Sequence, residues 1–278
     1  KDGKLQGMET DWTVDHGPYS EFGDLLTLRG AQYIGAGYDI ANIRGEGRTV
    51  CTNHAWGAAF RGYGAPESEF PSESLMDELA EKLGMDPFEL RYKNIYRKGS
   101  TTPTGQDPEV YSLPEIFDIM RPKYEEAKKR AAATSTAAVK RGVGIALGVY
   151  GAGLDGADSA AADAELMADG TVTIYACWQD HGQGADMGTL GTAHESLRPL
   201  GITSDQIRLV MNDTRAAPNT GPAGGSRSQV VGGQAIVNAC EQLIKAMKKG
   251  NGFRTYDEMV AEKLPLRYNG KWTAPAKD

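Results

Sequence analysis

The alternation of apolar and polar positions predicts strands in the second half of the chain. In "GTVTIYA" (170–176) apolar and polar residues alternate as on a half-buried strand. "DAELMADG" (163–170) precedes it, and its Asp169-Gly170 pair predicts the turn of a hairpin. Two further strands are predicted, over "DQIRLVMND" (205–213) and "GVGIALGVYG" (142–151).

Helical spacing of apolar residues predicts helices on both sides of the chain's middle. In "SLMDELAEKLG" (74–84) leucines recur every four residues and the pattern ends at Gly84. Asp86, Pro87 and Glu89 provide an N-cap, a first-turn proline and a capping-box partner for the next helix. Further helices are predicted from the Ser112/Glu115 capping box to about residue 129, after "HGQG" from residue 185, and over "QAIVNACEQLIKAMKKG" (234–250).

The order of these elements predicts an α+β fold with mixed sheets and packed helices. Strands and helices do not alternate strictly, which argues against a doubly wound sheet. "RAAATSTAAVKRG" (130–142) is alanine-rich and polar and has no apolar face. We expect residues 1–130 to end a first subdomain, residues 131–141 to be a linker, and residues 142–278 to begin a second subdomain.

Charge and cysteine usage exclude several classes of protein. The net charge of −7 disfavours a general nucleic-acid surface. The sequence has neither an apolar run long enough to span a membrane nor a signal peptide, so a cytoplasmic protein is expected. The three cysteines are widely spaced and form no zinc or iron–sulfur ligand pair. Because the first residue is not methionine, the chain is expected to be a segment of a longer protein.

Glycine is enriched, with 35 residues, and is concentrated in a few clusters such as 57–64, 182–191 and 221–233. In "HGQG" (181–184) two glycines lie where a strand meets a helix, which allows close backbone approach to a ligand and offers N–H donors. The sequence is neither a P-loop nor a dinucleotide fingerprint. A tight turn that simply needs glycine remains the alternative.

Three segments together resemble the molybdenum-binding portion of the xanthine oxidase family of molybdenum hydroxylases: "AAFRGYGAPES" (58–68), "HGQGADMG" (181–188) and "PNTGPAGGSRSQVVGGQAIVNAC" (218–240). The "FRGYG" and "DHGQGADMG" variants are most similar to the FAD-independent aldehyde oxidoreductases of sulfate-reducing bacteria. The resemblance implies oxidation of an aldehyde substrate to a carboxylic acid, with water as the oxygen source.

The same resemblance implies the cofactors and partners. Molybdenum is expected on a molybdopterin cytosine dinucleotide, whose sulfurs hold the metal, so that no protein side chain ligates it directly. Two [2Fe-2S] clusters are expected elsewhere in the same polypeptide, with electrons leaving to an acceptor such as a flavodoxin or ferredoxin. A homodimer is the family expectation.

Site residues follow from the matched motifs. The resemblance implies that Gln183 is a hydrogen-bond donor in catalysis and that the "HGQG" loop contacts the cofactor, although His181 could instead only orient the loop. Arg61 suits an oxyanion, with an ordinary salt bridge to Glu67 or Glu69 as the alternative. Ser226 suits phosphate or pterin, with N-capping by Ser226 or Ser228 as the alternative. The full set of expected cofactor-binding residues is Phe60, Arg61, Gly62, His181, Gly182, Gln183, Gly184, Gly224, Gly225 and Ser226.

Apolar residues on glycine-rich loops are the candidates for a substrate channel, because an aldehyde needs an apolar passage more than charged groups. They are Phe22, Leu25, Tyr63 and Leu154. The resemblance implies that the general base is a glutamate in a Gly-Glu motif far downstream, and because no Gly-Val-Gly-Glu sequence occurs here, that base is expected outside this segment. Glu46 in "RGEGR" is interpreted as an exposed turn residue.

Two alternatives stay open at this stage. A purine or other N-heterocycle hydroxylase of the same family would add charged groups, for which Arg29 or Arg44 are candidates. A segment that binds molybdopterin without catalysis is the second alternative.

Overall fold

The computed structural model describes residues 2–35, 37–108, 110–151 and 158–275. The chain divides into two compact units, Lys1–Tyr150 and Gly151–Asp278. Each combines helices with a sheet, so the predicted α+β class with two subdomains is confirmed. The expected linker at 131–141 lies in the first unit, where its first residues belong to a helix that ends at Thr134.

In its described residues, the first unit contains two parallel strands and four helices. In chain order they are β1 (Met8–Asp15), α1 (Gly23–Tyr33), β2 (Ile43–Val50), α2 (Ala65–Leu83), α3 (Pro87–Asn94) and α4 (Leu113–Thr134). Its core consists mainly of apolar and aromatic side chains from α2, α3, α4 and the segments around them.

In helix α2, the spacing of the leucines predicted the helix correctly, but other residues form its buried face. Its C-terminal end at Gly84, with φ +62°, is as predicted. The leucines of the predicted stripe are partly exposed, with Leu75 at 44% and Leu83 at 42%. Met76 and Ala80, one position further along, are the residues that enter the core. The helix also begins earlier than predicted, at Ala65.

Three other local predictions for the first unit need correction. Residues 142–151 form no strand, because the N–H groups of Leu147 and Val149 donate to the Glu73 and Glu69 carboxylates of α2. Ser112 makes no side-chain cap at α4. Glu46 lies in β2 and not in a turn, although it is exposed and pairs with Arg48 at 2.8 Å.

The second unit has a four-stranded mixed sheet covered by helices. Its elements are β3 (Ser159–Leu166), β4 (Val172–Ala176), α5 (Ala185–Leu197), β5 (Ile207–Met211), α6 (Gly233–Met247), the two-residue strands β6 (Lys248–Lys249) and β7 (Gly252–Phe253), α7 (Tyr256–Ala261) and β8 (Arg267–Thr273). The strand order is β5-β4-β3-β8, with β4 and β5 parallel and the other neighbours antiparallel. The predicted hairpin at Asp169-Gly170 is confirmed, and Gly170 has φ +80°.

Close packing fixes α6 on this sheet. A Cβ at Gly270 of β8 would lie 2.2 Å from the Ala235 carbonyl oxygen and 2.2 Å from the Ala239 nitrogen. Before α6 the chain makes a π-helical turn, Ser228–Gly232. Trp178 packs so tightly against this turn that a Cβ at Gly232 would lie 1.9 Å from its ring. Such π-turns often occur at functional sites.

Within the described residues, no helix has the length and apolar character needed to cross a bilayer.

Candidate functional site

The "HGQG" loop connects the end of β4 to the start of α5, as the sequence predicted. Gly182 and Gly184 have φ values of +96° and +80°, which L-residues with a side chain rarely adopt. A Cβ built on either glycine would meet no atom within 4 Å. His181, Gly182, Gln183 and Gly184 are all exposed. The loop therefore presents an open face that a ligand can approach closely.

The N-terminus of α5 already holds an anion from the protein itself. Asp180 Oδ1 accepts hydrogen bonds from the N–H groups of Gly182 at 2.7 Å and Gly184 at 3.3 Å. The hydrogen bond from the Gly182 N–H lowers the pKa of Asp180. Slight burial opposes this shift, and the N–H groups that follow add to it. A phosphate at this helix end would compete with the carboxylate. The loop thus suits neutral acceptor atoms better than an anion.

Gln183 lies across its own loop. Its amide oxygen accepts from the His181 N–H, and its Nε2 donates to the Gln179 carbonyl at 2.9 Å. An amide nitrogen carries two N–H groups, so one donor remains for a ligand. The His181 imidazole is exposed and makes no hydrogen bond to any described residue.

A second loop of the same unit is tied to this one. Gln179 Oε1 accepts from the Ala223 N–H at 2.9 Å. The Cys177 N–H donates to Thr220 Oγ1 at 2.8 Å, and that hydroxyl donates onward to the Ala161 carbonyl at 3.0 Å. The structure therefore brings the "HGQG" loop and the loop at 218–228 together, as two adjoining parts of one surface.

Arg227 organises the second loop, and sequence reasoning did not select it. Its side chain is 1% exposed and its Nε lies 2.8 and 2.9 Å from the two Asp158 carboxylate oxygens. The same guanidinium donates to three backbone carbonyls, of Ser159, Thr220 and Pro222, at 2.8 to 2.9 Å. A Cβ at Gly221 would lie 2.7 Å from its Nη1. Only the presence of an arginine inside a glycine-rich loop hinted at this role.

The residues just before Arg227 offer open donors. Gly225 and Ser226 both have positive φ, of +56° and +59°. In the described part of the chain, the N–H groups of Gly224, Gly225 and Ser226 make no hydrogen bond. Neither Ser226 nor Ser228 caps the following turn with its hydroxyl. Consecutive unpaired N–H groups of this kind suit an anion or a polar ring.

The "FRGYG" loop lies in the first unit and forms a tight turn before α2. The Tyr63 N–H donates to the Phe60 carbonyl at 2.9 Å, and Gly62 and Gly64 have φ values of +96° and +88°. A Cβ at Gly64 would lie 2.8 Å from the Gly30 nitrogen of α1. Phe60 is 68% exposed.

Arg61 does not form the ion pair considered from the sequence. Glu67 instead accepts from the Gly64 N–H at 3.0 Å, and Glu69 accepts from the Val149 N–H at 2.7 Å. Arg61 is exposed and, among the described residues, forms no ion pair. Its guanidinium is thus available to a ligand on this unit.

Some of the channel candidates come together in the first unit. The Tyr63 hydroxyl donates to the Phe22 carbonyl at 2.7 Å. Phe22 immediately precedes α1 and is 47% exposed, and Leu25 lies in the first turn of α1 and is 38% exposed. Burial, and then Asp24, raise the pKa of Tyr63, so its hydroxyl stays a donor at neutral pH. Leu154 lies outside the described residues.

These loops fit a large, polar, ring-containing cofactor such as molybdopterin. The open glycine face, the remaining Gln183 donor and the unpaired N–H groups of 224–226 supply neutral hydrogen bonds in the second unit. Within the described residues, no group of His, Cys, Asp and Glu side chains is arranged to hold a metal ion.

Comparison with known proteins agrees with this fit. Residues 1–95 and 119–277 match the family of molybdopterin cofactor-binding domains. An aldehyde oxidoreductase from Megalodesulfovibrio gigas is 64% identical over 99% of this chain and 30% of that protein. The solved structure of the aldehyde oxidoreductase from Desulfovibrio desulfuricans ATCC 27774 matches with a TM-score of 0.92 and 74% identity, over 99% of this chain and 31% of that chain.

More distant relatives include a xanthine dehydrogenase/oxidase from Mus musculus, 28% identical over 94% of this chain and 20% of that protein. The chain thus spans less than a third of the length of these relatives. The chain belongs to the molybdopterin cofactor-binding domains of the xanthine oxidase family, as its three motifs predicted.

Proposed function

We propose that this chain is the cofactor-binding segment of a molybdenum enzyme that oxidises aldehydes to carboxylic acids, with water as the source of oxygen. The observation that carries the proposal is the 64% identity to an aldehyde oxidoreductase over 99% of the chain. The identity to a xanthine dehydrogenase/oxidase is only 28%.

The described apolar residues support an aldehyde more than a purine. Phe22 and Leu25 are exposed and Tyr63 is half-buried, and the Tyr63 hydroxyl, the polar group among these side chains, already donates to a backbone carbonyl. Arg44, a candidate for binding a polar substrate ring, is exposed on β2, and its Nη1 lies 3.8 Å from Glu9 Oε1. Arg29 donates to Gln32 at 2.8 Å.

When bound, the cofactor supplies the redox chemistry by which the aldehyde carbon is oxidised. The residues of this chain supply binding and orientation. Gln183 would donate its remaining N–H where negative charge develops on oxygen, which is the kind of contact that stabilises a transition state. The "HGQG" glycines would allow close backbone approach, and His181 would contact the same ligand. Phe22, Leu25 and Tyr63 would hold the substrate's carbon chain and exclude water.

The finer features of the cofactor are part of the same proposal. The unpaired N–H groups of Gly224, Gly225 and Ser226 suit the extra phosphate of a cytosine dinucleotide. Phe60, Arg61 and Gly62 are proposed as a second contact, with Arg61 on an oxyanion. We assign to the rest of the polypeptide two [2Fe-2S] clusters, the base glutamate and the docking site of a flavodoxin or ferredoxin. The full-length protein is proposed to be a cytoplasmic homodimer.

Purification of the full-length protein tests this proposal. We expect bound molybdenum by elemental analysis, CMP released by acid hydrolysis, and turnover of aldehydes but not of purines. Turnover of purines in place of aldehydes would favour the N-heterocycle hydroxylase. Bound cofactor with no turnover of any aldehyde would favour a non-catalytic binding segment.

A further inference from the structure

His16 is a buried polar side chain whose ring makes no hydrogen bond to the described residues. It is 2% exposed, and neither ring nitrogen has a hydrogen-bond partner among the described residues. An unsatisfied buried polar group lowers the stability of a fold, so its presence calls for a physical reason. The surroundings of His16 provide one.

The imidazole ring supports the start of α1. A Cβ built on Gly23 would lie 2.3 Å from His16 Cδ2 and 2.6 Å from Nε2, far inside van der Waals contact. Gly23 is the first residue of α1 and follows Phe22 directly. The thickness of the ring therefore sets how close Phe22 and the first turn of α1 come to residues 15–17.

The backbone around His16 holds the segment that leads to Tyr63. The His16 carbonyl accepts from the Gly57 N–H at 3.2 Å, and the Gly17 carbonyl accepts from the Thr52 N–H at 3.0 Å. The Asp15 carboxylate accepts from Thr52 Oγ1 at 2.7 Å and lies 2.6 Å from His54 Nδ1. Residues 52–57 run from β2 towards the tight turn that carries Tyr63.

We propose that His16 is a positioning residue that sets the spacing between Phe22 and Tyr63, and thereby selects aldehydes by size. On one side the His16 ring packs against Gly23. On the other side the His16 carbonyl accepts from the Gly57 N–H. The Tyr63 hydroxyl donates to the Phe22 carbonyl and so links the two sides directly. This inference rests on the proposed aldehyde oxidation and deepens it.

The test compares His16→Ala with the wild type in the full-length enzyme. Removal of the ring lets the start of α1 settle towards residues 15–17, which brings Phe22 closer to the segment that leads to Tyr63 and narrows the space between the two side chains. We expect the ratio of kcat/KM for benzaldehyde to that for acetaldehyde to fall about tenfold, in the range typical of a modest change in an apolar pocket. Molybdenum content should stay that of the wild type. His194→Ala, an exposed histidine on α5, is the control and should leave the ratio unchanged.

A second measurement needs no turnover. Gly23→Ala should lower the Tm strongly in the wild type, because its Cβ strikes the imidazole, but only slightly in the His16→Ala background. In that background the added methyl group should also return the substrate ratio towards the wild-type value. If His16→Ala does not fold, His16→Asn is measured by the same criteria.

An unchanged ratio, a ratio shifted towards benzaldehyde, or an equal loss of Tm in both backgrounds would overturn the inference. A wild-type enzyme that oxidises neither aldehyde would contradict the proposed function instead, and the Tm comparison would still decide the role of His16.

Discussion

At the scale of single residues, replacement of Gln183 is expected to lower turnover without affecting folding. Gln183→Ala removes one donor and two hydrogen bonds within an exposed loop, and strands no charge. Loss of an oxyanion-type donor costs on the order of a hundredfold or more in turnover. A surface-loop substitution changes stability by about 0.5 kcal/mol or less. We therefore expect kcat to fall sharply while Tm and molybdenum content stay near their wild-type values.

The matched control is Gln242→Ala, which removes a glutamine of α6 whose Nε2 donates to the Asn269 carbonyl at 2.8 Å. Its turnover should be that of the wild type. Loss of molybdenum in Gln183→Ala would make the residue an anchor for the cofactor. Full activity with full occupancy would reduce "HGQG" to a glycine turn.

Arg227 is the residue for which we predict the opposite pattern. Arg227→Met leaves Asp158 buried without its partner and frees three backbone carbonyls, and breaking such a buried pair costs about 3–5 kcal/mol. We expect a lower Tm together with a lower molybdenum content, since the loop at 218–226 loses its support. Both are measured on the full-length protein, by thermal unfolding and elemental analysis.

Two variants control this result. Arg208→Met breaks an exposed pair with Asp169 and should change little. Arg227→Met combined with Asp158→Leu removes the stranded charge and should recover part of the Tm. Unchanged molybdenum content in Arg227→Met would show that the loop does not depend on this side chain.

At the scale of elements, the packing of residues 142–150 against α2 predicts a pH effect. Burial raises the pKa of Glu69, the Val149 N–H opposes this, and the neighbouring Glu73 adds to it. A carboxyl group with a raised pKa stabilises the fold when protonated, and this contribution is lost as pH rises through the folded-state pKa. Glu69→Gln keeps an acceptor for Val149 and removes the charge. We expect its Tm to exceed the wild-type Tm at about pH 8, and the gain to shrink towards about pH 4.5.

Glu67→Gln provides the comparison on the same helix. Glu67 lies in the first turn of α2 and accepts from the Gly64 N–H, where a negative charge is favourable. Its replacement should lower the Tm at neutral pH. A lower Tm for Glu69→Gln at every pH would show that its charge stabilises the protein.

Elements differed in how far the sequence could predict them. The Asp169-Gly170 hairpin and the Asp86 cap of α3 were predicted because local chemistry determines them, and Asp86 does accept from the Phe88 N–H at 2.8 Å. Helix α1 was missed because Gly23 and Gly30 weaken its pattern. Those glycines are explained only by tertiary contacts, with His16 and with Ser68, whose hydroxyl donates to the Gly30 carbonyl at 2.8 Å.

The candidate site shows the same division. The glycines of "HGQG" were predicted from their motif, and their positive φ values agree with that choice. The pairing of Asp180 with the α5 N-terminus and the burial of Arg227 against Asp158 were not predicted. Each depends on where a side chain points after folding, and Asp158 is far from Arg227 in sequence.

At the scale of the whole molecule, the two units divide the proposed work. The second unit offers the "HGQG" loop and the loop at 218–228, which share hydrogen bonds through Gln179. The first unit offers the "FRGYG" turn and the apolar group of Phe22, Leu25 and Tyr63. The base glutamate is proposed to lie outside this chain, whose sequence has no Gly-Val-Gly-Glu motif, so turnover is expected of the full-length protein only.

The proposed function assigns this chain to a molybdenum enzyme that oxidises aldehydes with oxygen from water. The most direct test is to oxidise an aldehyde with the purified full-length protein in water labelled with oxygen-18 and to analyse the carboxylate by mass spectrometry. We predict that, over many turnovers, the carboxylate carries one labelled oxygen atom more than the aldehyde incubated in the same water without protein, in preparations that contain molybdenum. A carboxylate with no more label than that aldehyde, or the same turnover by protein free of molybdenum, would contradict the proposed function.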